Sequence, residues 1–120
     1  MILVDTSVWI DHLRRGNTRL AATLDVGQVM SHPVVIGELA CGTLRQRSIV
    51  LALLAKLPVS STATHAEALA FVEARGLMGR GLGYVDVHLL AAAALDDVGL
   101  WTLDKRLDGA ARALGIAASE

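Results

Sequence analysis

The four residues Met1 to Val4 are apolar without alternation, and the run stops at Asp5. An unbroken apolar run this short is the pattern of a strand buried on both faces. Thr6 and Ser7 follow, and Val8, Trp9, Ile10 and Leu13 then take up a rough helical period. A carboxylate is therefore placed where a buried strand ends and a helix begins. In open parallel sheets, ligands bind in the crevice at the carboxyl ends of the strands. Asp5 suits that role and the role of helix cap equally well.

The rest of the chain alternates between the same two kinds of element. Gly16-Asn17 marks a turn, Thr18 to Val26 a short helix ended by Gly27, and Gln28 to Ser31 a strand. Pro33 opens a helix to about Gly42, as proline suits a first helical turn. Gln46 to Leu57 reads as a helix with Ile49, Leu53, Leu54 and Leu57 on one side, stopped by Pro58. Val59 to Thr62 is a short strand or an extended link. Thr64 caps a helix from His65 to about Arg75, with Glu67 at capping-box spacing. Gly76 to Gly83 holds four glycines and is the most flexible stretch. A helix from Tyr84 to Asp97, a strand from Gly99 to Thr102, a helix from Asp104 through Leu114 and an edge strand at Gly115 to Ala118 complete the chain. Strands separated by helices predict an α/β fold with a mainly parallel central sheet of four to five short strands flanked by helices. The length predicts a single domain over residues 1–120.

Several function classes are disfavoured at once. The net charge of -1 gives no general attraction to nucleic acid, so any such contact must be local. Aromatic residues make up only 3%, too few for a protein that reads bases by stacking. The lone Cys41 excludes an internal disulfide and fits a reducing compartment. Its Leu-Ala-Cys-Gly setting reads as a small buried thiol. No opening apolar run has signal-peptide form, and Leu89 to Leu95 falls far short of the ~20 residues of a membrane span. A soluble cytoplasmic protein with no membrane contact is expected.

Three further carboxylates stand in unusual places. Glu38 has Val34, Val35, Cys41 and Gly42 at helical spacings, which suggests a face turned inward; the alternative is an exposed site on a short helix. Asp86 shares a helix face with Leu89, Leu90 and Ala93, where a carboxylate is expensive unless paired or metal-bound. It also suits a cap. Asp104 repeats the arrangement at Asp5, an apolar strand followed by an acid and a helix, and taken alone reads as an N-cap. Two acids thus end strands and two lie on helices, and only a fold would bring them together. Like charges ~4 Å apart at an effective dielectric near 20 repel by about 4 kcal/mol per pair. A hard divalent cation offsets that repulsion, and Mg²⁺ or Mn²⁺ prefers carboxylate and water oxygens. His12, His32, His65 and His88 are scattered without zinc spacing and read as structural or surface residues.

With these residues in view, the chain resembles the PIN domain ribonucleases, specifically the VapC-type toxins of bacterial toxin–antitoxin pairs. Four motifs carry the resemblance in order: Met-Ile-Leu-Val-Asp-Thr-Ser-Val-Trp-Ile-Asp, Val-Ile-Gly-Glu-Leu-Ala-Cys-Gly, Gly-Tyr-Val-Asp-Val-His-Leu-Leu-Ala-Ala and Leu-Trp-Thr-Leu-Asp-Lys-Arg-Leu. The resemblance implies a PIN fold over the whole chain, with Asp5, Glu38, Asp86 and Asp104 as catalytic and metal-binding acids. It implies endonucleolytic cleavage of RNA with Mg²⁺ or Mn²⁺, through a metal-activated water held by the acids. It further implies a homodimer and a cognate VapB-type antitoxin. Arg45 to Gly83 carries none of the motifs.

Around the acids, Thr6 is the leading hydroxyl to bond Asp5 or the nucleophilic water, with Ser7 behind it; helix capping is an equal alternative for both. Thr102 supports the site or simply fills a strand position. Lys105, Arg106, Arg14, Arg15 and Arg45 are candidate RNA contacts or plain helix-end charges. Two rival readings remain. A non-catalytic PIN-like module would bind RNA or protein without cutting. A phosphoreceiver domain has similar length and an acidic Mg²⁺ pocket, but Arg45 to Pro58 holds no Asp or Glu to accept phosphate.

Overall fold

The computed structural model describes residues 1–118. Its organising element is strand β1, Ile2–Val4, at the centre of a parallel sheet of order β2-β1-β3. Strand β2 is Val29–Met30 and β3 is Gly99–Trp101. Ile2 pairs with Val29 on one side and Gly99 on the other, and Leu3 with Met30 and Leu100. The sequence reason is the opening apolar run: Leu3 and Val4 are fully buried, as a central strand covered on both faces requires.

Helices α1 (Thr6–Arg15) and α2 (Thr18–Asp25) connect β1 to β2. Helices α3 (Pro33–Cys41), α4 (Arg47–Leu54), α5 (His65–Arg75) and α6 (Tyr84–Asp96) lie between β2 and β3. Helix α7 (Lys105–Ala113) follows β3. The core joins Val8, Leu20, Val35, Leu89, Leu90, Leu100 and Leu107 to the β1 side chains. Thr64 and Glu67 form the expected capping box of α5. Among the described residues, no helix is long and apolar enough to cross a membrane.

Among the described residues the sheet has three strands, not the four to five expected. The regions read as further strands each reduce to a single parallel bridge, Ser31 with Val59 and Leu100 with Ala117. Pro58 has no N–H with which to extend the first ladder toward its start. Gly115, at φ 73, turns the chain just before the second. That bridge also relies on Gly99, because a Cβ there would stand 2.8 Å from the Cα of Ala118.

Two other expectations need correction. Along the fourth helix, expected to run from Gln46 to Leu57, Leu54 is buried, while Ile49 is 57% and Leu53 59% exposed. The helix also ends at Leu54, and the chain tightens into three-residue turns from Leu53 to Lys56 and from Leu54 to Leu57. Cys41 is exposed rather than buried. Helix α3 buries Val35 and Leu39, and two further residues carry Cys41 about 200° around the helix from Leu39.

His32 is fully buried and caps α3, its Nδ1 accepting the Val34 N–H at 3.0 Å. Nε2 therefore carries the proton, and it has no hydrogen-bond partner among the described residues. Burial, reinforced by the charge of His88, lowers the His32 pKa from its ordinary value. The unfolded chain thus binds the proton more tightly than the folded one. The stability contribution is full above the ordinary histidine range and is lost as pH falls through the lower folded value. The urea midpoint should fall between about pH 7 and pH 5. His32→Asn, which keeps a capping acceptor without titrating, should flatten that fall. Parallel losses in the two proteins would assign the effect to another group.

Candidate active site

Three of the four acids sit where strands end or helices begin, and Glu38 lies midway along α3. Asp5 ends β1 and caps α1, and it is only 8% exposed. Its Oδ2 accepts hydrogen bonds from Ser7 Oγ at 2.7 Å and Thr102 Oγ1 at 2.8 Å. The same hydroxyl oxygens accept backbone N–H groups: Ser7 Oγ that of Leu103, and Thr102 Oγ1 that of Asp104, both at 3.0 Å. Each hydroxyl has one proton to give, and Asp5 Oδ2 accepts both. The 3.2 Å approach of Ser7 Oγ to Thr102 Oγ1 is then a contact within the network rather than a third bond. This relay ties the β1 acid to the turn that carries Asp104.

Asp104 caps α7, with Oδ1 accepting the N–H groups of Arg106 and Leu107 at 2.9 and 3.1 Å. Asp86 is the third residue of α6, and its Oδ2 accepts the Gly83 N–H at 2.9 Å. This is the reach-back half of a capping box, and the Gly-x-x-Asp spacing was its signal in the sequence. Glu38 accepts from Thr6 Oγ1 through Oε1 at 2.7 Å. It is exposed, so the inward-facing setting expected from its apolar neighbours does not hold. Val35 and Leu39 carry the buried face of α3, and Glu38 lies at its edge.

A common pattern results. In each of the four acids, one oxygen is engaged and the other accepts no hydrogen bond among the described residues. The hydroxyl pairing also differs from expectation: Ser7, not Thr6, bonds Asp5, and Thr6 bonds Glu38. The reason is local. A capping side chain faces the second and third residues of its helix, and Ser7 is the second.

The acids share one electrostatic neighbourhood. The Asp86 pKa is raised from its ordinary value, chiefly by burial; the Gly83 N–H opposes this, while the charges of Asp104, Asp5 and Glu38 add to it. Two of the four cap a helix and Asp86 lies in the first turn of one, where the dipole and free N–H groups offset part of the repulsion. The folded pKa of Asp86 exceeds the unfolded one, so it favours the folded state below the ordinary aspartate range. That contribution is lost as pH rises through the folded value. Carboxylate titration by NMR should show Asp86 above an ordinary aspartate, and Asp104→Asn should bring it down. An ordinary value in the parent protein would refute the mutual repulsion.

Among the described residues, no three acidic, histidine or cysteine side chains form a ready cage around one ion. The donor chemistry nevertheless fits a hard cation, because carboxylate oxygens, each with one free position, are its preferred ligands. Mg²⁺ keeps several waters of its own, so an acid set that does not enclose the ion directly is compatible with it.

The candidate cations separate by location. Arg14 and Arg45 line a cleft of about 460 Å³ that reaches Glu38 and is otherwise walled by Ile10, Leu13, Leu39, Gly42, Thr43 and Leu44. Arg15 is engaged with Asp11, Nε to Oδ1 at 2.6 Å. Arg106 lies against Gly81, where a Cβ would stand 3.0 Å from its Cδ. Lys105 borders a second cleft beside Thr102.

Comparison with known proteins agrees with this architecture. The PIN domain family matches residues 2–113. The ribonuclease VapC32 of Mycobacterium tuberculosis, in strains CDC 1551 and H37Rv, is 50% identical over 121 residues, covering 100% of this chain and 98% of the relative. Among solved structures, FitAB bound to an IR36 DNA fragment superposes with a TM-score of 0.66 at 19% identity, over 99% of this chain and 94% of that one. FitAcB from Neisseria gonorrhoeae gives 0.62 at 21% identity, over 100% and 97%. At these identities the structural likeness establishes a shared fold. The chain-length match at 50% identity goes further: the chain belongs to the PIN domain family, among its VapC-type toxins.

Proposed function

We propose that this chain is a metal-dependent endoribonuclease toxin, with Asp5, Glu38, Asp86 and Asp104 as its acidic site and Mg²⁺ or Mn²⁺ as its cofactor. The observation that carries the reading is the set of four acids in one electrostatic neighbourhood, each with one oxygen tied and one free. The ribonuclease name of the 50% identical relatives supports the reaction class. When bound, the cation supplies the positive charge that lowers the pKa of a water and offsets charge developing on the phosphate.

The chain's own residues have distinct tasks in this reading. The four free oxygens hold the cation and its waters. Ser7 and Thr102 hold Asp5 in place, and Thr102 sets its position relative to Asp104. Thr6 orients Glu38. Arg14 and Arg45 draw RNA phosphate into the cleft beside Glu38, while Lys105 and Arg106 flank Asp104. Arg15 is the weakest candidate, since Asp11 already engages it. Membership among VapC-type toxins supports a cognate VapB-type antitoxin and a homodimer as partners, and a cytoplasmic site of action on RNA.

Sequencing of RNA ends after induced expression, beside an Asp5→Asn control, tests the proposal. New ends should appear with the parent protein and be absent with the variant. The same ends in both would refute the acid assignment. RNA bound without new ends would favour a non-catalytic module.

A further inference from the structure

Thr102 ties Asp5 to the turn that carries Asp104, but among the described residues no hydrogen bond joins Asp86 to that turn. Asp86 is held by the Gly83 N–H at 2.9 Å. Gly83 ends a segment with further glycines at 76, 79 and 81, whose φ angles are all positive. Glycine loses more conformational freedom on ordering than any other residue. The cap that holds Asp86 is therefore only as fixed as the contacts this segment makes with its surroundings.

Arg106, the second residue of α7, supplies such a contact. A Cβ at Gly81 would stand 3.0 Å from Arg106 Cδ and 3.3 Å from Nε and Nη1. At Gly76 and Gly79 a Cβ would meet nothing within 4 Å. The Arg106 side chain thus fills the space that a side chain at position 81 would take. Its backbone N–H donates to Asp104 Oδ1 at 2.9 Å. A path of contacts runs from Asp104 through Arg106 to Gly81, and two residues on to the Gly83 N–H that Asp86 accepts. Among the described residues Arg106 forms no ion pair, so shape rather than charge places it there.

We propose that Arg106 is a positioning residue: it braces the glycine segment at Gly81 and so fixes the Asp86 carboxylate relative to Asp104. The proposal rests on the acid-site reading above. It gives Arg106 a task that lysine cannot perform. A planar guanidinium can lie along a backbone, whereas the compact, strongly hydrated ammonium of lysine is drawn to water. A phosphate contact needs only the positive charge, which lysine keeps.

Two measurements test this on the purified protein: Mn²⁺ binding by electron paramagnetic resonance, and amide hydrogen exchange at Gly83 without metal. Arg106→Lys and Arg106→Gln should both weaken Mn²⁺ binding by about tenfold, the lower end of the effect of removing a group that supports a metal ligand. Both should speed Gly83 exchange by about three- to tenfold. Lys56→Gln, which removes a like charge from the turn after α4, should change neither. Gly79→Ala and Gly81→Ala both place alanine at positive φ, but only the second displaces Arg106, so it should weaken Mn²⁺ binding more. Parent-like binding and exchange in Arg106→Lys would overturn the brace and leave the acid-site reading standing. So would weakened binding with unchanged Gly83 exchange, or equal effects of the two alanine variants. No Mn²⁺ binding by the parent protein would overturn both readings.

Discussion

Asp5→Asn is expected to lower RNA cleavage by more than about 100-fold while leaving the protein folded. Residues that merely support a metal ligand cost about 10–100-fold when removed, so a ligand in direct reach of the cation should cost more. The fold should tolerate the change because asparagine caps a helix about as well as aspartate does. Its amide oxygen still accepts from Ser7 and Thr102. What disappears is the charge. Cleavage assays on the purified variant, beside a thermal melt, separate the two effects. Full activity in a folded Asp5→Asn protein would end the acid-site reading. Asp86→Asn should behave alike in activity, and it should also remove the repulsion that Asp86 feels from its three neighbours.

The second large effect is expected from Thr102→Val. The substitution keeps the side-chain shape at the end of β3, where Thr102 is 6% exposed, and removes only the hydroxyl. Asp5 loses one of its donors, and the Asp104 N–H loses its acceptor. Loss of the part-buried Asp104 N–H bond should cost about 0.5–1.5 kcal/mol of stability. Activity should fall by about 10–100-fold, because the link between Asp5 and Asp104 runs through this oxygen. Thr102→Ser restores the hydroxyl and should recover most of the loss. If Thr102→Val cleaves RNA normally, the relay is structural only, and Asp104 is held by its helix alone.

Much of this architecture was legible in the chain. Met1 to Val4 read as a doubly buried strand, and it is the central one. Glu67 at capping-box spacing from Thr64 identified α5. These signals are local: a few adjacent side chains determine whether the segment can be buried or capped. The strand count was not legible, because Val59 and Ala117 have strand-like neighbours but only one bridged partner each. Pairing depends on what the rest of the chain brings alongside. The exposures of Cys41 and Glu38 were misjudged for a related reason. Periodicity shows that a helix has faces, but the packing of other elements decides where the buried face ends.

At the site itself, the sequence alone named four acids, their order and the hard-cation chemistry such a set suits. Carboxylates placed after apolar strands and in first helical turns carry that information in their immediate surroundings. The tertiary structure decided how they relate. It put Ser7 rather than Thr6 on Asp5, joined Asp5 to Asp104 through the Thr102 hydroxyl, and left one oxygen of each acid without a hydrogen bond among the described residues. The Thr102–Asp5 bond joins residues from opposite ends of the chain. No spacing rule reaches that far, because the distance between them is set by the sheet that pairs β1 with β3.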